Sequence, residues 1–422
     1  MKRPAVFIPS LYFIEGLPYT LVVLVSVVFY KNLGESNDFI GRMTSLLYLP
    51  WVLKFAWAPL VDMFGAKRLW IVVAQVVLAI CAFMLAVSLS LPSSAFISLC
   101  AFALMALASA TQDVAIDGYY LEALTVEQQS FFVGVRNAAY KVAWLFGQGG
   151  LVYLAGALGA VSSIGVRGGW TISFSICSVI FLLASLFHFF ILPKASAASV
   201  AQSIESRNFK TFLLVFKTFF TQKKIVPIVI YILIFRLGDA LMLKMAQPFL
   251  LDDLAKGGLA LKTEQVGIIY GGVGVGSLLL GGIVGGFVVS KFGLKRCLMP
   301  TAIIQNSAIL LYYILSTSKP NLYLVATFNA IEQFSYGLGT AAYTVFLLKT
   351  VSPAYRSGHY AIATALMAFG VMVPGYFSGQ LTEILGYQNF FLLSFLMAIP
   401  GMICILLLPL ESDVSSTSAD GN

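Results

Sequence analysis

Apolar runs of about twenty residues or more recur from one end of this 422-residue chain to the other, and that repetition limits the fold more than any other feature. A helix that crosses hydrocarbon needs about 20 mostly apolar residues, because its backbone polar groups must all be satisfied within the segment. Composition agrees, with 59% hydrophobic and only 10% charged residues, against about 25% charged in an ordinary soluble domain. A water-soluble globular enzyme, a disordered chain and a collagen-like chain are therefore excluded.

The runs place twelve spans at 5–30, 40–62, 69–91, 94–120, 130–157, 169–192, 225–250, 265–290, 297–317, 321–349, 357–383 and 388–410. The expected fold is an all-α membrane protein, with twelve transmembrane helices in two pseudo-symmetric six-helix bundles, 1–193 and 225–410. Lys2 and Arg3 precede a first run that is too long for a signal peptide and carries Glu15, so it reads as a retained span. Between the halves, 194–224 is a cytoplasmic linker. Phe209, Phe212, Leu213, Phe216 and Phe220 fall there at helical spacing opposite lysines. This amphipathic helix either lies on a membrane surface or docks on the protein's own body. Residues 411–422 form a polar tail. Placing both termini in the cytoplasm puts fifteen Lys and Arg on inner loops and six on outer ones, the sense of the positive-inside rule.

Several chemistries have little to build on. The net charge of +8 is spread over loops rather than gathered in a patch, so no nucleic-acid surface is indicated. The five cysteines sit singly inside apolar runs, and the two histidines, His188 and His359, lie in different halves. Neither a disulfide framework, a metal site nor a Ser/His/Asp set follows, and no cofactor is expected. The glycines around 267–286 are not followed by Gly-Lys-Ser/Thr, and they recur as small-x-x-x-small. That spacing predicts close helix packing rather than a nucleotide loop.

An internal repeat carries more information. Asp62-Met63-Phe64-Gly65-Ala66-Lys67-Arg68 and Ser290-Lys291-Phe292-Gly293-Leu294-Lys295-Arg296 each join one apolar run to the next, 228 residues apart. Duplicated halves are a transporter signature. The motif resembles the loop 2–3 and loop 8–9 signatures of the major facilitator superfamily, with Ala58 where glycine is usual and Ser290 in place of the acid. Leu47–Asp62, Ser109–Tyr119 and Arg136–Lys141 further resemble spans two, four and five of AmpG-type permeases. The resemblance implies a proton-driven importer in a bacterial inner membrane, working as a monomer. Its cargo would be an anhydro-muropeptide, with acetyl-CoA or siderophores in related branches. It also implies that Asp62, Gly65, Lys67, Arg68, Gly293, Lys295 and Arg296 form a cytoplasmic gate, in which Ser290 cannot supply the anion.

Charge at membrane depth costs about 2.5–3.5 kcal/mol per residue on insertion scales, so intramembrane charges mark a pathway or relay. Glu15, Asp113, Asp117, Asp239 and Glu332 are accordingly the proton-coupling or substrate candidates. Asp113 and Asp117 share one helix face, and Arg236 and Asp239 stand three apart as a possible ion pair. Lys54, Arg136 and Arg236 are candidates for holding an anion. The plainer readings are a solvated helix end for Asp117, snorkelling for Arg136 and Lys141, a structural ion pair for Arg236–Asp239, and simple burial for His188. The expected function is thus a proton-coupled symporter for a bulky, polar, anionic solute. A membrane-embedded acyltransferase is the rival class, and it lacks a nucleophile or base cluster.

Overall fold

The computed structural model describes residues 4–63, 66–193, 209–222, 224–318, 320–352 and 355–410. Gly65, Lys2, Arg3, the linker segment 194–208 and the tail 411–422 lie outside the described residues, as does the side chain of Asp62. Every regular element among the described residues is helical. In chain order these are α1 (Pro4–Asn32), α2 (Asn37–Leu46), α3 (Leu49–Leu53), α4 (Ala58–Met63), α5 (Lys67–Ser88), α6 (Ser94–Ala123), α7 (Val126–Gly159) and α8 (Gly165–Ile191). They continue with α9 (Phe209–Phe220), α10 (Ile225–Leu251), α11 (Thr263–Phe292), α12 (Leu294–Thr317), α13 (Leu322–Lys349) and α14 (Arg356–Ile405).

Among the described residues nine helices are long and apolar enough to cross a bilayer. One of them, α14, is two helices merged across Gly386, whose φ of 70° breaks the helical path where a residue with a Cβ would be strained. The expected span at 321–349 is α13. The expected span at 40–62 is broken into α2, α3, a 3-10 turn at Lys54–Ala56 and α4, with Pro50 in the first turn of α3, the place where a missing N–H costs nothing.

Two compact units emerge, Met1–Phe212 with Leu261–Gly272, and Leu213–Ala260 with Val273–Asn422. In the first unit, α5, α6 and α8 pack side by side and α1 packs along α7. Gly16 permits the latter approach: a Cβ there would come within 2.9 Å of the Tyr140 carbonyl oxygen. Pro18 lacks the N–H that would close the helix onto the Ile14 carbonyl. Gln112 of α6, wholly buried, donates to that carbonyl from Nε2 at 3.1 Å. A π-helical stretch, Leu21–Val25, follows at once. His188 is buried as the sequence suggested, yet not against a purely apolar face: its ring nitrogens lie 3.0 Å from Ser10 Oγ and 3.0 Å from Gln75 Oε1.

In the second unit α11 lies along α13 through the glycines that the small-x-x-x-small spacing singled out. A Cβ on Gly281 would strike the Phe334 carbonyl, and one on Gly285 would lie 2.6 Å from that of Leu338. Helix α9 docks on this unit. Phe219 is wholly buried in its core, Val215 and Phe216 pack beside it, and Thr218 Oγ1 lies 3.0 Å from His359 Nε2. Lys217 and Phe220 stay exposed. Of the two sequence readings for this helix, docking describes the end at 214–222.

Because α11 and α13 touch backbone to backbone, Gly281→Ala is expected to destabilise the protein by about 1–3 kcal/mol through overpacking. Gly286→Ala, with open space around it, should melt like the parent. Thermal unfolding of the two purified variants in the same detergent checks this, and equal melting points would overturn the packing argument.

Candidate functional site

In the first unit, five of the expected residues come together from α1, the 3-10 turn after α3, α6 and α7. The four-residue spacing of Asp113 and Asp117 does put them on one helix face, but each carboxylate has its own cation rather than its neighbour's proton. Asp113 Oδ2 accepts a hydrogen bond from Trp51 Nε1 at 2.9 Å and lies 3.6 Å from Lys54 Nζ. Asp117 Oδ1 accepts from Tyr12 OH at 3.0 Å and lies 3.3 Å from Arg136 Nη2. The Arg136 guanidinium also covers the rings of Tyr12 and Tyr120, at 4.6 and 5.1 Å. This is a contact that suits a flat, weakly hydrated cation. Asp117 is about half exposed and Asp113 is buried, so the Asp113–Lys54 pair is less screened by solvent than Asp117–Arg136.

Glu15 differs from both. It is buried, 7% exposed, it has no ion pair among the described residues, and its Oε2 has no hydrogen-bond partner. The charges of Asp117, Asp113, Arg136 and Lys54 all act on it. Asp113 Oδ1 is likewise buried without a partner. Three acids thus face two bases. A low-dielectric setting penalises any charge left over.

An aromatic wall adjoins this cluster through Trp51. Tyr19 stacks on Trp144 with centroids 5.9 Å apart and planes 7° from parallel, and it meets Trp51 edge-on at 5.2 Å. Tyr19 and Tyr48 are joined through their hydroxyls at 3.2 Å, and Lys141 Nζ sits 3.7 Å from the Trp144 ring centroid. Lys141 therefore has a partner of its own. Sequence reasoning missed this wall as a unit. The available signal was aromatic spacing on single helices, Tyr140 with Trp144 and Tyr48 with Trp51.

The second unit holds Arg236, Asp239 and Glu332. Arg236 occupies the break between two helical stretches of α10, with φ −92° and ψ 9°, where the free turn lets the guanidinium reach α13. It donates to the hydroxyls of Tyr336 and, at 3.0 Å, Thr340, and it covers the Tyr336 and Tyr343 rings at 5.1 and 5.3 Å. The expected Arg236–Asp239 ion pair does not form. Three residues of separation assumes continuous helix, and the helix is interrupted at Arg236. Asp239 accepts instead from Gln305 Nε2 of α12, and Glu332 Oε2 accepts from Gln333 Nε2 at 2.8 Å. Glu332 and Asp239 are both about 2% exposed.

The repeated loop motif is treated differently in its two copies. In the first, Lys67 is buried and lies 3.6 Å from Glu122 Oε1, while Arg68 donates to the Phe189 carbonyl and covers the Phe189 ring. In the second, Gly293 has φ +79°, and Lys295 and Arg296 are exposed. No group of three or more potential metal ligands occurs among the described residues.

The sequence matches the Major Facilitator Superfamily over residues 10–255 and again over 239–421. It is 24% identical to the putative transporter AmpG 4 of Rickettsia conorii, covering 95% of each chain. It is also 24% identical to the anhydromuropeptide permease of Escherichia coli, covering 93% of this chain and 77% of the permease. Among solved structures, a variant of the nucleoside transporter NupG superposes with a TM-score of 0.73 at 17% identity, over 96% of this chain and 99% of the other.

Removing the hydroxyl that Arg236 donates to leaves a buried cationic N–H unsatisfied. Tyr336→Phe should therefore lower stability by about 1–3 kcal/mol, read by thermal unfolding. An unchanged melting point would show that the contact contributes nothing.

Proposed function

The chain belongs to the major facilitator superfamily, and on that premise we propose that it is a proton-coupled symporter importing a bulky, polar, anionic solute, with an anhydro-muropeptide as the cargo. It is a multi-pass membrane transporter with a small-molecule substrate, and its family and named relatives transport rather than catalyse. The observation that carries the proposal is the buried carboxyl of Glu15, without a partner of its own, among the Asp113–Lys54 and Asp117–Arg136 pairs. It is the one acid of that cluster that can take a proton without dissolving an ion pair. With three acids and two bases, a single proton brings the cluster to neutrality, which is the state a low-dielectric interior favours. Protonation of Asp113 instead would release Lys54, whose side chain is 38% exposed, to bind an incoming carboxylate.

Two features support the cargo class. Lys54 and Arg136 are partly accessible cations, suited to carboxylates or phosphates. The wall of Tyr19, Trp51 and Trp144 offers flat faces to a ring-bearing solute, and an anhydro-muropeptide has both sugar rings and carboxylates. The similarity to the permease of Escherichia coli points the same way. Placement in a bacterial inner membrane rests on the similarity to the permease of Escherichia coli, and placing both termini in the cytoplasm rests on the loop-charge bias. The protein acts as a monomer in this reading. Asp239 and Glu332 of the second unit are further proton or substrate positions in this reading, and Asp62, Gly65, Lys67, Arg68, Gly293, Lys295 and Arg296 belong to the gate.

Vesicles reconstituted with the protein should concentrate labelled anhydro-muropeptide when the outside is acidic and lose that ability on addition of an uncoupler. Accumulation that survives the uncoupler overturns proton coupling. Glu15→Gln and Asp113→Asn should each abolish concentrative uptake at normal expression, and normal uptake by either removes that residue from the pathway. A thermal-shift comparison of muropeptide, acyl-CoA and ferric siderophore tests the cargo, because a specific ligand stabilises the folded state by mass action.

A further inference from the structure

We propose that a depression in the second unit, at the turn from α11 to α12, binds a phosphoryl group, held there as the headgroup of an anionic phospholipid. The depression has a volume of about 950 Å³, and Ser290, Lys291, Lys295, Arg296 and Lys349 are among its lining residues, with no acid among the described ones. It is a different place from the ion pairs and buried acids described above.

Three independent features favour an anion with several oxygens. The first is charge without internal partners: neither Lys295 nor Arg296 has a hydrogen bond or ion pair among the described residues. Comparison with the first copy of the same motif sharpens this. There the equivalent bases are satisfied within the protein, Lys67 by Glu122 and Arg68 by the Phe189 carbonyl. The second is backbone. Gly293, at φ 79° and ψ 151°, ends α11 and opens α12 with no side-chain cap. The first-turn N–H groups of α12, at Leu294, Lys295 and Arg296, are thus left as donors beside the cations. Phosphate oxygens answer both kinds of donor. The third is Ser290, which stands where the first copy has Asp62. A carboxylate at that position would repel a phosphate, whereas a hydroxyl can donate to it.

Depth argues for a lipid as the source. Phe287 and Phe292 are 65% and 51% exposed at the end of α11. Lys291 Nζ lies 5.9 and 5.5 Å from their ring centroids. A lysine whose stem lies along exposed apolar rings, with its ammonium free to reach outward, is suited to the boundary between hydrocarbon and headgroups. Basic residues there attract anionic lipids.

The full-length protein in neutral detergent is titrated with short-chain phosphatidylglycerol, with short-chain phosphatidylcholine and with inorganic phosphate, reading the melting temperature and, by native mass spectrometry, bound lipid. Phosphatidylglycerol should raise the melting temperature and phosphatidylcholine should not. The double variant Lys295→Gln/Arg296→Gln should bind about tenfold or more weakly. Ser290→Asp should lose the response, while Ser290→Ala, exposed in the same place, keeps most of it. The two Ser290 variants must melt alike without ligand, which separates binding from folding. An equal response to inorganic phosphate, lost in the same variants, supports the phosphoryl site and assigns its source to soluble phosphate. No response to either, or a response that all variants retain, overturns the proposal.

Discussion

Everything in this protein depends on the cost of leaving a charge without a partner in a low-dielectric interior. The described structure answers that cost one group at a time. Asp113 has Trp51 and Lys54, Asp117 has Tyr12 and Arg136, and Arg236 has two hydroxyls and two aromatic faces. Against that background Glu15 stands out, because it is buried with neither an ion pair nor a side-chain hydrogen bond among the described residues. The proton coupling proposed above needs one such group, since a site in which every charge is permanently paired has no reason to take up or give back a proton.

The backbone is broken where these groups gather, and the breaks serve them. Pro18 interrupts α1 beside Glu15, and Gln112, the neighbour of Asp113, fills the carbonyl the proline leaves open. Lys54 sits in a 3-10 turn between two short helices, and Arg236 sits in the interruption of α10. Irregular backbone at membrane depth is tolerated only where side chains or a cavity satisfy it. The same places that admit a charge therefore also need polar partners, and the two requirements are met by shared residues.

Much of the architecture was legible in the chain. Long apolar runs gave the helices, and the small-x-x-x-small spacing of Gly281 and Gly285 marked a contact that the structure places between α11 and α13. Scarcity of charge made the intramembrane acids and bases visible as a short list. What escaped were pairings. The Arg236–Asp239 pair looked reasonable at three residues of separation and failed because the helix is broken between its two stretches. The aromatic wall of Tyr19, Tyr48, Trp51 and Trp144 escaped because its members come from separate helices. His188 was read as simply buried, yet Ser10 and Gln75 meet its two nitrogens.

The amino-acid sequence by itself determined the class of solvent, the helical fold and which residues carry charge into the membrane, because hydrophobic run length and composition are local properties. Only the tertiary structure decided which charge has a partner. Glu15, Asp113 and Asp117 are alike in chemistry, and what separates them is the set of helices packed around each. The same holds for the repeated loop: Lys67-Arg68 and Lys295-Arg296 are identical as letters, yet Glu122 and the Phe189 carbonyl occupy the first pair, while the second lines an open basic depression.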